Sequence, residues 1–316
     1  MAATPGLCIG FVPAGRPAIV VHGGVGSSPE WSDGCRRAVE GAVGPLQEGG
    51  DALDAAVRAV VALEDDGRFN AGSGSVFRMD GKTVEMDAAV MDSRGMMGCV
   101  AALRGVKNPV RAARAVADTP HVFFAGEGAR ELAARRGVSE PHVPSAHARE
   151  RVRRLLEQVR KDDRADWRAP WRSFDVRANW NFSTPYDEVL RGCDTVGAVA
   201  VDRAGRFAVA NSTGGASPML CGRVGDSPIP GCGFWAGPAG AVAATGVGEE
   251  IIRSLLARTV YDILSLGRSP LEAARAGVAI VPQGIAVGVL AVSAEGLAWC
   301  ANREMSTACW PAAAEA

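Results

Sequence analysis

Thr195 stands at the junction of two stretches of opposite character. Residues 139–192 are polar and Arg-rich and carry Pro141, Pro144, Pro170 and Pro185, whereas residues 196–201 (VGAVAV) form an apolar run. A Thr hydroxyl is a weak nucleophile unless a base adjoins it. If the chain were cut between Asp194 and Thr195, the freed α-amine of Thr195, with a reference pKa of about 7.7 to 8, would supply that base. The polar stretch upstream would provide the exposed chain that cleavage requires. Taken alone, a Thr at the start of a strand is simply a good β-former. Its company changes the reading. Three glycine-rich loops follow, at residues 211–215 (NSTGG), 222–228 (GRVGDSP) and 244–249 (ATGVGE), and each carries a hydroxyl or a charged side chain.

These residues need a scaffold, and the rest of the chain can supply one. Residues 18–21 (AIVV) are a short β-rich run before the pair Gly23-Gly24. Residues 31–46 and 51–63 read as helices; in the second, Leu53, Val57, Val60 and Val61 recur at helical spacing, with Asp51 and Asp54 in the first turn facing the helix dipole. Strands are expected at 84–91 and 98–103, and helices at 109–117, starting on Pro109, and at 127–136. Residues 139–192 read as a linker with weak internal structure, apart from a possible helix over 149–161. Their basic content could serve an acidic partner, but a solvated linker is the simpler reading. Residues 196–201 and 207–210 form a hairpin around the turn at 202–205, and 241–244 is a further strand. A long helix is expected over 248–266, another helix over 270–279, and a closing hairpin from 288–292 and 297–300. Antiparallel sheets covered by helices follow from this order.

Composition excludes several classes. A 316-residue chain that is 47% hydrophobic has ample material for a core, and a formal net charge of -1 gives no global attraction to nucleic acid or an anionic membrane. No apolar run approaches the ~20 residues of a membrane span. Residues 1–15 lack the basic start and apolar stretch of a signal peptide, so a cytoplasmic location is expected, with the eight cysteines as reduced and mostly buried thiols. With four His and no C-x-x-C pair, a zinc site is not expected.

In order along the chain stand His22-Gly23-Gly24, Phe69-Asn70-Ala71-Gly72, Asp87-Ala88 with Met91-Asp92, Asp194-Thr195-Val196-Gly197-Ala198-Val199, Ser212-Thr213-Gly214-Gly215, Gly222-Arg223-Val224-Gly225-Asp226-Ser227-Pro228, and Thr245-Gly246 with Gly248-Glu249. In this order and spacing the chain resembles the plant-type asparaginases, also called isoaspartyl peptidases, of the threonine N-terminal-nucleophile hydrolase superfamily. The likeness runs from about residue 18 to residue 292. It implies an α/β (α+β) fold in one domain over 1–316, a four-layer αββα sandwich of two antiparallel sheets. It implies an α chain of residues 1–194, ending in the flexible linker, and a β chain of residues 195–316 that begins on Thr195.

The resemblance also implies roles. Thr195 would be the nucleophile, with Thr213 beside it and Asn70 orienting it. Arg223 would hold a substrate α-carboxylate, a bidentate task suited to guanidinium. Asp226 would hold the α-ammonium, while Thr245 and the Gly246 N–H would form an oxyanion hole. Gly246 and Gly248 would let backbone approach the substrate. Without the resemblance, Arg223 reads as a surface ion pair, Asp226 as a turn residue before Pro228, and Thr213 and Asn70 as local hydrogen-bonding groups. His22 is expected to be structural rather than a catalytic base, and Glu85, Asp87 and Asp92 to serve the core sheet rather than a metal. No cofactor is required by this reading. A structural Na+ held by main-chain oxygens around Leu63, Glu64, Asp66, Phe69, Ala71 and Ser73 is implied, as is pairing into a dimer of αβ heterodimers.

Some features depart from the pattern. Cys193 replaces a common His before the cut, the linker is long and carries Trp167, Trp171 and Trp180, and residues 287–305 match more loosely. Residues 231–236 and 256–258 resemble threonine aspartases, which are endopeptidases, but Asp226 suits a free amino group instead. A glycosylasparaginase and an uncleaved, non-enzymatic binding module are the remaining alternatives. The expected substrate is asparagine or a β-aspartyl dipeptide.

Overall fold

The computed structural model describes residues 8–13, 15–160, 171, 173–176, 178–182 and 195–312. Asp194, Cys193 and Trp167 lie outside the described residues. Among the described residues no helix is long and apolar enough to cross a membrane.

The strands are β1 (Cys8–Pro13), β2 (Ala18–Val25), β3 (Met86–Asp92), β4 (Met97–Leu103), β5 (Phe123–Ala125), β6 (Thr195–Val201), β7 (Phe207–Thr213), β8 (Phe234–Gly237), β9 (Gly240–Gly246), β10 (Val287–Ser293), β11 (Gly296–Ala301) and β12 (Met305–Trp310). They make a seven-stranded sheet in the order β12-β2-β6-β7-β3-β4-β5 and a five-stranded sheet in the order β1-β11-β10-β9-β8. Helices α1 (Ser32–Gln47), α2 (Ala52–Asp66), α3 (Pro109–Val116) and α4 (Gly126–Arg135) pack through one core on the outer face of the larger sheet. Helices α6 (Gly248–Ser254), α7 (Leu256–Ser265) and α8 (Pro270–Ile280) cover the smaller sheet through another. Helix α5 (Ala146–Arg160) precedes them in the chain. A third core of Val20, Val199, Val209, Phe234, Ala243 and Leu290 lies between the sheets. The layers therefore run α, β, β, α, as the sequence leads one to expect.

Strand alternation assigns each residue its side. In β6, Val196, Ala198 and Ala200 face the helices, and Val199 and Val201 face the other sheet. Thr195 has the parity of the second set. In β7, Phe207 and Val209 face the other sheet, and Thr213 shares their parity. In β9, Ala241 and Ala243 do so, and Thr245 shares theirs. The three threonines thus look into the space between the sheets, at strand ends where it opens.

Helix α2 illustrates how local signals fix the scaffold. Asp51 caps it, accepting from the Leu53 N–H at 2.8 Å, and Gly67 ends it with a left-handed φ of 79°. The buried face of Leu53, Ala56, Val60 and Leu63 lies on the backs of β6 and β7.

Several expectations need correction. The expected 248–266 helix is two helices, broken at Leu255 with φ 46° and an exposed side chain. The Ala257 and Arg258 N–H groups donate to the Cys232 and Gly231 carbonyls, at 3.0 and 2.9 Å, so a new helix starts there rather than continuing the old one. The sheets are antiparallel except where β5 runs parallel to β4. The β10–β11 hairpin does not close the fold, because β12 follows and pairs with β2. Strand β1, where no strand was expected, pairs with β11. The stretch read as a weakly structured linker contains α5, and Trp171, Phe174, Val176, Trp180 and Phe182 gather over Met79 and Leu220.

Truncating Leu53, which is fully buried under this scaffold, removes side-chain contacts that the helix cannot recover by collapse. Leu53→Ala should cost about 2–5 kcal/mol, read as a lowered denaturation midpoint with an unchanged slope.

Candidate active site

The ends of β6, β7 and β9 and the 222–228 loop enclose a small cleft of about 50 Å³, lined by Thr195, Thr213, Arg223, Asp226, Thr245, Gly246 and Gly248 among others. Thr195 and Thr213 are register partners in the β6–β7 ladder. Their hydroxyls meet on the inter-sheet face, Thr195 Oγ1 donating to Thr213 Oγ1 at 3.2 Å. The Gly215 N–H also donates to Thr213 Oγ1, at 2.9 Å.

Asn70 does not line the cleft; it braces the loop behind it. Its side-chain N–H donates to the Gly215 carbonyl at 2.7 Å, and its Oδ1 accepts from the Val76 N–H at 2.8 Å. The Gly214 N–H donates to the Asn70 carbonyl at 3.0 Å. A chain of hydrogen bonds through Gly215 and Thr213 thus connects Asn70 to Thr195.

Opposite stands the Thr245 hydroxyl, which accepts from the Val25 N–H at 3.3 Å, leaving its own proton to point elsewhere. Gly246 follows with φ 148°, and a Cβ there would lie 2.3 Å from the Ala286 carbonyl oxygen, so only glycine fits.

The charged end of the cleft is built on Arg223 and Asp226. Arg223 donates to Glu249 Oε1 through two nitrogens, at 2.8 and 3.1 Å. Asp226 is 3% exposed, and its Oδ2 has no hydrogen-bond partner among the described residues. Burial pushes its carboxyl up to about 7, against the opposing pull of Arg223. Gly248 sits between these two, where a Cβ would lie 2.8 Å from Arg223 Nη2 and 2.9 Å from Asp226 Oδ1. A cation beside a buried carboxylate with an unused oxygen matches the head of a free amino acid.

The remaining sequence candidates fall outside the cleft. His22 is buried, its Nδ1 accepts from the Gly24 N–H at 3.0 Å, and burial pushes its pKa down to about 3. It is a neutral structural imidazole. Glu85, Asp87 and Asp92 hold no shared site: Asp92 serves Arg94, whereas Glu85 and Asp87 accept from the N–H groups of Gly222 and Gly225, at 2.7 and 3.3 Å. These two carboxylates thus support the loop that carries Arg223 and Asp226. Sequence reasoning missed that support, and with it Arg78. Fully buried, Arg78 pairs with Glu85 at 2.8 Å and donates to the Arg223 carbonyl at 3.2 Å. A lone Arg between Phe77 and Met79 was the available signal.

In the 63–73 stretch, which spans the end of α2 and the turn after it, Glu64 and Asp66 are largely engaged, with only Glu64 Oε2 lacking a partner among their carboxylate oxygens in the described residues. Glu64 Oε1 accepts from Ser212 Oγ at 2.6 Å and the Val110 N–H at 3.0 Å, while burial raises its pKa to about 7. Asp66 is paired with Arg37 and Arg68. The Glu64, Phe69 and Ala71 carbonyls each accept one hydrogen bond within the loop, from Ser73 Oγ, Ala71 N and Gly74 N. Each carbonyl oxygen retains a second lone pair.

A family model described as asparaginase matches residues 15–315. The chain belongs to this Asparaginase_2 family. Curated relatives agree with that assignment. A plant-type L-asparaginase of Pyrobaculum calidifontis is 45% identical over 260 residues, covering 78% of this chain and 79% of the relative. An isoaspartyl peptidase/L-asparaginase of Homo sapiens is 38% identical over 310 residues, covering 94% and 93%. One of Danio rerio is 39% identical over 308 residues, covering 94% and 92%. The asparaginase-family reading of the sequence motifs stands.

The raised Asp226 carboxyl has a stability consequence whose sign is fixed. Its ordinary pKa is 3.8 and its folded value about 7, so its contribution is fully present below about 3.8 and lost as pH rises through about 7. Asp226→Asn removes that dependence. The melting temperature of the variant minus that of the wild type should therefore climb between about pH 4 and 7 and then level off; a difference that is flat or falls over this window would show the carboxyl is not raised.

Proposed function

We propose that the chain is an autoproteolytic amidohydrolase that cleaves asparagine or β-aspartyl dipeptides to aspartate through an ester on Thr195. The observation that carries this reading is the Thr195–Thr213 hydroxyl pair, 3.2 Å apart, in a cleft that also holds Arg223 and the buried Asp226. The names of the relatives, L-asparaginase and isoaspartyl peptidase, point to the same bond type.

Cleavage of the Asp194–Thr195 peptide would free the Thr195 amine. That amine takes the proton of its own hydroxyl as Oγ1 attacks the side-chain carbonyl carbon of the substrate. Arg223 meets the substrate α-carboxylate and Asp226 the α-ammonium, which sets the reacting amide over Thr195. The tetrahedral oxyanion is stabilised by the Thr245 hydroxyl and the Gly246 N–H. When the C–N bond breaks, the amine returns its proton to the leaving nitrogen, which departs as ammonia or as the amino group of the released amino acid. Water then attacks the ester with the amine again as base, giving aspartate and the free hydroxyl. Thr213, its hydroxyl 3.2 Å from Thr195 Oγ1, orients the nucleophilic oxygen while the proton passes to the amine. An endopeptidase substrate has no free α-ammonium for Asp226, so its burial beside Arg223 supports small substrates. A hard cation, if bound at the 63–73 loop, would be held by main-chain oxygens. Neutral oxygen donors suit a monovalent ion such as Na+, which would brace the loop and take no part in the chemistry.

Purified wild-type protein should separate on a denaturing gel, with intact masses for residues 1–194 and 195–316. Thr195→Ala should remain a single 32.7 kDa chain and lose activity toward both substrate types by roughly 10⁴-fold or more. A wild type that stays intact on incubation would overturn the self-activating mechanism. A second outcome concerns pH. Asp226 must be ionised to attract an ammonium, so KM should rise as pH falls below about 7, approaching tenfold per unit. Steady-state kinetics between pH 5 and 9 measure this, and a KM that is flat there would remove Asp226 from substrate binding.

A further inference from the structure

The loop that bears Arg223 is held from two sides. Its inner side is the buried scaffold of Arg78 and Glu85 described above, which binds the Arg223 carbonyl and the Gly222 N–H. Its outer side is held from upstream of Thr195. Asn181 donates from Nδ2 to the Cys221 carbonyl at 2.9 Å and accepts at Oδ1 from the Cys221 N–H at 3.1 Å. The side-chain amide thus pairs with both main-chain groups of one residue, as a neighbouring strand would.

Asn181 is itself anchored by its neighbours. Trp180 and Phe182 flank it with ring centroids 4.6 Å apart, and Trp171 and Phe174 form a second pair at 5.4 Å. With the buried Val176, these rings pack on Met79 and Leu220, the latter directly preceding Cys221. A turn in which the Ala178 N–H and the Asn179 side chain both bond to Asp175 sets the spacing between the ring pairs. The aromatic segment therefore grips the protein at both ends of the short path from Met79 to Cys221.

We propose that Asn181, carried by the aromatic segment 171–182, is a positioning residue for substrate recognition: it holds the Cys221–Arg223 backbone so that the guanidinium meets the substrate α-carboxylate. This rests on the proposed function, and it extends it. After the cut before Thr195, Asn181 would belong to the other chain from Arg223. The new C-terminal part of the α chain would remain clamped to the substrate site of the β chain.

The test uses matured enzyme of the wild type, Asn181→Ala and Asn181→Asp. Asn181 is exposed, so neither change disturbs a core. For Asn181→Ala, KM for asparagine and for a β-aspartyl dipeptide should rise roughly three- to tenfold, the scale of one or two hydrogen bonds, with kcat within about twofold. The inhibition constant of the product L-aspartate should rise by the same factor, and that of its α-carboxamide, which lacks the α-carboxylate, should not. Asn181→Asp keeps the acceptor for the Cys221 N–H and should fall between the two. Hydrogen exchange of the Cys221 amide should be about tenfold or more faster in Asn181→Ala. Unchanged KM, or a loss in kcat alone, would overturn the proposal even if exchange quickens. Unchanged exchange would overturn it as well. If the wild type hydrolysed neither substrate, the functional reading would fail separately, and the exchange measurement would still decide whether Asn181 holds the loop.

Discussion

Much of this site depends on one ladder, the antiparallel pairing of β6 with β7. Its register sets Thr195 opposite Thr213 and places both hydroxyls on the inter-sheet face. A slip of one residue would turn Thr195 toward the helices and put Val196 between the sheets, because side chains alternate with a period of two. The register is secured by burial on both faces. Val196, Ala198 and Ala200 lie under α2, and Val199 and Val201 lie against β9 and β10. Burying a full aliphatic side chain contributes about 1.5–3 kcal/mol, so a slip that exchanged these sets would be strongly disfavoured. The hydroxyl pair is thus positioned mainly by hydrophobic packing along the strand.

The polar half of the site is built on the opposite principle. Here buried charge is tolerated because each group is tied into a network. Arg78 is fully buried against Glu85, which also takes Arg104 and the Gly222 N–H. Removing one member of such a network would leave an uncompensated charge, a cost of about 3–5 kcal/mol. Asp226 is the exception, with one oxygen lacking a partner among the described residues and a carboxyl raised by desolvation. A buried acceptor without a donor is costly in a free protein. A ligand ammonium would satisfy it, which gives the cleft a preference for charge that the strand-end threonines cannot provide.

The sequence pattern was informative where a local rule governed. Residues 51–63 gave α2 because acidic residues open a helical apolar stripe; in the structure Asp51 is its N-cap, and the helix extends only to Asp66, where Gly67 takes a left-handed turn. The Gly-rich loops after β7 and β9 were legible because glycine marks close backbone approach. Elsewhere the local rule pointed the wrong way. Nothing in residues 248–266 breaks a helix, yet Leu255 adopts φ 46° because the next turn bonds to the Gly231–Cys232 loop. Residues 171–182 look like linker by composition, yet their aromatic rings find an apolar surface at Met79 and Leu220.

By itself, the sequence pointed to the family and, through that resemblance, to the αββα layering, and it named candidate site residues of which most line one cleft. Tertiary structure alone decided which groups face one another. It brought Thr245 across the inter-sheet space from Thr195, set Glu249 against Arg223, and placed Arg78, Glu85 and Asn181 around one short loop. Those partners are 26 to 145 residues apart along the chain. Contacts over such distances are fixed by strand register, sheet stacking and the burial of charge, and no local pattern of residues encodes them.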